Sequence, residues 1–97
     1  MQIGDGRTLQ GYVDRGPGGG QLVHLTFFDA DGGELDVTDA PSLTSAKGDD
    51  ETPVEVRRLG PGHFAGSGSF EAGEWRFRIA ATVEGEEVST CFQEPIE

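Results

Sequence analysis

At 97 residues the chain has the length of one domain, 1–97, with room for a single modest hydrophobic core. Its 18 acidic side chains against 7 basic ones give a formal charge of -11, a surface that repels phosphate backbones and anionic headgroups and so excludes nucleic-acid and membrane-surface binding. The apolar fraction of 34 % and the 16 glycines point to many turns around a small core.

Apolar residues recur with period two, the mark of half-buried strands. "TLQGYVD" sets Leu9, Gly11 and Val13 on one face and Thr8, Gln10, Tyr12 and Asp14 on the other, until Pro17 and Gly18 to Gly20 break the ladder with a flexible turn. "QLVHLTFFDA" turns Val23, Leu25 and Phe27 inward and leaves Leu22, His24, Thr26 and Phe28 opposite, which suits a strand inside a sheet or near an edge that another element covers. Asp29 to Gly33 is a hairpin-type turn, after which "ELDVT" continues in phase through Leu35 and Val37.

The polar run from Asp39 to Thr52, with only Leu43 and Ala46 to anchor it, reads as a mobile loop with room for one short edge strand. "PVEVRRL" resumes alternation as one strand through Val54 and Val56. "HFAGSGSF" places Phe64, Gly66, Gly68 and Phe70 on one side. "WRFRIAATV" alternates most regularly, with Trp75, Phe77, Ile79, Ala81 and Val83 inward, and Trp75 is the expected core anchor. In "VSTCFQEPI" the inward set is Val88, Thr90 and Phe92; the phase points Cys91 outward, against the usual burial of cysteine, and its orientation stays open. Seven or eight short strands at this spacing predict an all-β, immunoglobulin-like antiparallel sandwich.

No catalytic constellation emerges. Ser67 in "GSG" lacks a nucleophile elbow and the glycines of "GPGHFAG" lack a phosphate-loop lysine, so the chain reads as noncatalytic. Asp29 and Asp31 open like a calcium loop, but the twelfth position is Ala40, leaving weak cation binding by the turn together with Asp49, Asp50 and Glu51 as the residual expectation. His24 and His63, 39 residues apart, are the metal-site candidates, with Cys91 or Met1 as a third ligand. One cysteine forms no intrachain disulfide and gives no indication of redox compartment.

The elements "GPGHF" at Gly60 to Phe64 and "GEW" at Gly73 to Trp75, with the preceding "VHLTFFDADGGEL", resemble the small immunoglobulin-like domains of the CopC and YtkA-like type over Leu22 to Ile96. That resemblance implies an extracytoplasmic bacterial accessory domain, alone or attached to a membrane protein of copper handling. Copper carriers of the type use an N-terminal histidine and an Asp-x-His arrangement. Here Met1 and Gln2 open the chain and no Asp-x-His occurs, so the family's copper site is not carried over.

Three functional expectations follow. The first is a noncatalytic extracytoplasmic module, part of a larger membrane protein, that supports interaction or metal transport; its partner is the parent protein or another protein. The second is a copper carrier using His24 and His63, and the third is an acidic adhesion-type module for a basic partner. No apolar run reaches the length of a membrane span and the first ten residues lack a secretion signal, so Met1 is either a cytosolic start or the head of a fragment.

Overall fold

The computed structural model describes residues 1–96 apart from 16–19 and 38, and the side chain of Arg15 is likewise left out. The chain forms β1 (Gln2–Gly4), β2 (Arg7–Arg15), β3 (Gln21–Phe28), β4 (Ser42–Lys47), β5 (Asp50–Val54), β6 (Val56–Gly60), β7 (His63–Gly68), β8 (Gly73–Val83) and β9 (Glu86–Ile96). They make two antiparallel sheets in the orders β1-β2-β3-β7-β6 and β5-β4-β8-β9. Without β1 and β5 this is the strand arrangement of a constant-type immunoglobulin sandwich, and β5 occupies the place of the extra strand beside the third. The all-β sandwich expected from the strand spacing is therefore present, with nine strands among the described residues where seven or eight were expected.

The core lies between the sheets, and the period-two residues supply it. Val23, Leu25 and Phe27 of β3, Phe64 of β7, and Phe77, Ile79 and Val83 of β8 are all buried. Their rings pack edge to face, with Phe27 on Phe64 at 5.9 Å and Phe70 on Phe77 at 5.4 Å between centroids; such pairs add about 0.5–1.5 kcal/mol each beyond area burial. Gly11 is the recess that lets the sheets close. A Cβ there would stand 2.6 Å from the Phe92 ring, which instead stacks on Phe77.

Several expectations are corrected. Asp39 to Thr52 is largely no loop, because β4 and β5 form a hairpin and β4 lies inside its sheet, bonded to both β5 and β8. Ser45 takes the inward place opposite Phe77 and donates its hydroxyl to Thr52 O at 3.3 Å, so a polar residue is buried at no loss of hydrogen bonding. "ELDVT" makes only an isolated bridge from Glu34 to Phe28, although Leu35 and Val37 are buried as expected; its Thr38 lies outside the described residues. "PVEVRRL" divides at Glu55, where the chain passes from one sheet to the other. The turn expected at Pro17 to Gly20 falls on 16–19, also outside the described residues.

Trp75 is not the anchor. It sits half-buried near the start of β8, packs on Phe70 at 5.1 Å, and donates Nε1–H to Glu71 O at 2.7 Å. The place expected for it belongs to Phe27, Phe64 and Phe77, which have no exposed surface. A ring near the end of a strand keeps one edge in water, whereas rings at mid-strand are enclosed from both sides.

Candidate functional site

Side chains alternate along a strand, so the residues that skip the core converge on the outer face of each sheet. On the five-stranded sheet the register pairs Tyr12 with His24 and His24 with Ala65, and Arg57 of β6 continues the row. His63 pairs with Thr26, two residues along β3, and is therefore the diagonal neighbour of His24. The two histidines do come together. Their ring centroids are 5.8 Å apart at an interplanar angle of 36°, and Tyr12 stacks on the other side of His24 at 4.8 Å and 14°.

The position of His63 is set by its neighbour. Gly62 adopts φ +67, accepts a hydrogen bond from Phe27 N at 2.8 Å and lies against Leu35, so the turn is clamped to β3 and its exit delivers His63 to the start of β7. Both imidazoles are half-buried. His24 Nδ1 is shielded from solvent and has no hydrogen-bond partner among the described residues, an arrangement that costs about 1–3 kcal/mol when left unanswered.

The other expected ligands lie elsewhere. Cys91 is exposed on the outer face of the four-stranded sheet, opposite Arg78 of β8, on the far side of the sandwich from the histidines. Met1 packs against the core, and its sulfur accepts from Thr90 Oγ1 at 3.6 Å. Among the described residues no group of three or more His, Cys, Asp or Glu is placed to hold a metal ion.

No family model, curated protein or solved structure matches the chain. The geometry alone carries the reading. No helix among the described residues is long and apolar enough to cross a membrane.

One end of the sandwich is strongly acidic. Asp5, Asp29, Asp31, Glu84 and Glu86 line an open cleft around Arg7, whose side chain is otherwise buried. Arg7 donates to Gly4 O at 3.0 Å, Val83 O at 3.4 Å and Glu86 Oε1, and stands 3.6 Å from Asp5 and 3.5 Å from Glu84. Its hydrogen bond to Glu86, then the charges of Glu86, Asp5 and Glu84, raise its pKa above the ordinary arginine value against the opposing effect of burial. The Asp29 carboxylate is spent on its own turn, accepting from Asp31 N and Gly33 N at 2.9 Å each. The cluster Asp49, Asp50 and Glu51 does not join it. That hairpin lies by the start of β8, where Arg76 reaches Gly48 O, while the Asp29 turn lies by the other end of this eleven-residue strand.

Sequence reasoning found both histidines but missed Tyr12 as their companion. The usable signal was the shared outward phase of Tyr12 and His24 on consecutive strands. It needed the pairing register to become a contact.

Proposed function

We propose that this chain is a noncatalytic, extracytoplasmic immunoglobulin-like module whose role is metal handling, with His24 and His63 as ligands to a borderline transition-metal ion such as copper. The convergence of two imidazoles from positions 24 and 63 to 5.8 Å carries the reading. Imidazole nitrogens ligate such ions at about 2.0–2.1 Å, which with a ring radius of about 1.1 Å on each side places the ring centres roughly 4.5–6 Å apart. The observed spacing falls in that range. Imidazole donors favour copper, zinc or nickel over calcium or magnesium, and the acidic surface raises the local concentration of any cation.

The reading rests on this geometry and not on the resembled copper carriers, whose N-terminal histidine and Asp-x-His arrangement are missing here. A proton-resolved titration with Cu(II) tests it. Saturable broadening centred on His24 and His63, lost in His63→Ala, is expected. No saturable change, or a change centred on Glu84 and Glu86, would overturn the assignment.

A further inference from the structure

We infer that a second copy of this chain completes the metal site, one ion bridging the His24 and His63 pairs of two molecules across a two-fold axis. The inference rests on the metal reading above and adds the partner to it.

Two imidazoles are half of the four donors that a tetrahedral ion takes. Among the described residues no third His, Cys, Asp or Glu is grouped with them to hold an ion, and Cys91 faces away on the other sheet while Met1 is engaged with Thr90. A two-fold axis through the ion doubles the same pair and closes the coordination with four nitrogens. Such an interface is isologous and needs only one patch that fits itself.

The surface around the pair suits that approach. A sheet face is broad and shallow, and here Tyr12 is 43 % exposed, with Leu22 and Phe28 half-buried on the same side. The charges that would hold two copies apart at -11 each lie mostly elsewhere. The β3 and β7 positions of this face are Leu22, His24, Thr26, Phe28, His63, Ala65 and Ser67, with no carboxylate among them. Asp14 of β2 pairs with Leu22 and so stands diagonal to His24, while Arg57 of β6 adds a positive charge to the row. Face-to-face contact here therefore meets less self-repulsion than contact through the acidic cleft.

Sedimentation equilibrium with stepwise Cu(II) and, in parallel, Zn(II) tests the proposal on the intact chain, with bound metal measured in the same samples. Doubling of the mass at one ion per two chains is expected with either metal, reversed by a chelator and absent in a His24→Gln, His63→Gln double variant whose melt confirms that it folds. A bound ion on a molecule that stays monomeric with both metals would overturn the second copy and leave the metal reading standing. Failure of both ions to bind would overturn both. Dimerisation that persists equally in the double variant would also overturn the proposal, and if that variant does not fold, metal-dependent shifts of the two histidines in the parent dimer decide the same question.

Discussion

Replacing Gly62 by alanine perturbs the joint that delivers His63. At φ +67 an L-residue costs about 1–2 kcal/mol in backbone conformation alone. The new Cβ would also stand 2.2 Å from Leu35 O, well inside the 3.0 Å that such atoms essentially never breach. Backbone must therefore move on one side or the other. That movement strains the bonds from Phe27 N to Gly62 O at 2.8 Å and from Leu35 N to Phe27 O at 3.0 Å, each worth about 0.5–1.5 kcal/mol net. Reduced freedom of the unfolded chain returns about 0.4–1 kcal/mol, so the net loss is about 2–4 kcal/mol. Gly32→Ala is the matched control. Gly32 has φ +85 with nothing within 4 Å of the new methyl, so it bears only the conformational term. Urea unfolding followed by Trp75 fluorescence and far-ultraviolet dichroism should show Gly62→Ala as the weaker protein by about 1–3 kcal/mol. Equal losses in the two variants would refute the argument from contact.

Phe77→Ala should cost about 3–5 kcal/mol, as expected for a fully buried ring, and Trp75→Ala distinctly less because its ring is half-buried. Paired urea melts check the order, and an inverted order would return Trp75 to the centre of the core. Arg7→Met should lower the melting temperature at neutral pH by leaving Asp5, Glu84 and Glu86 to face one another. Because the Arg7 pKa is raised in the folded protein, its contribution is complete at neutral pH and fades only in strong alkali, while the gap between variant and parent should close in acid as the carboxylates take up protons. Melting curves from acid to mild alkali should show the gap closing in acid and holding constant from neutral pH upward.

The strands were legible where one face is apolar at every second residue. In β8 the series Trp75, Phe77, Ile79, Ala81 and Val83 fixes element, face and phase together, whereas in β9 phase and the usual burial of cysteine pulled opposite ways at Cys91, which is exposed. β4 was not legible because burial there does not follow hydropathy. Ser45 is buried by virtue of its hydrogen bond, and Ala46 is buried on the opposite side, in a cleft that Arg76 and Arg78 help to line. The histidine pair was half legible. Composition named both residues, but their contact depends on the register that sets His63 opposite Thr26, one diagonal step from His24, and the Gly62 clamp rather than either strand's pattern holds β7's start there.

The Arg7 cluster has a consequence for how the domain is made. Its partners Val83 and Glu86 lie 76 and 79 residues further along the chain, so during synthesis the arginine waits without them until nearly the whole domain has emerged. The two sheets are equally interleaved, since β3 needs β7 and β4 needs β8. A nascent chain of this topology gains little by folding strand by strand. It completes its structure as one unit, with the last hairpin closing around a residue from the first, while the acidic surplus that surrounds Arg7 keeps the waiting chain dispersed.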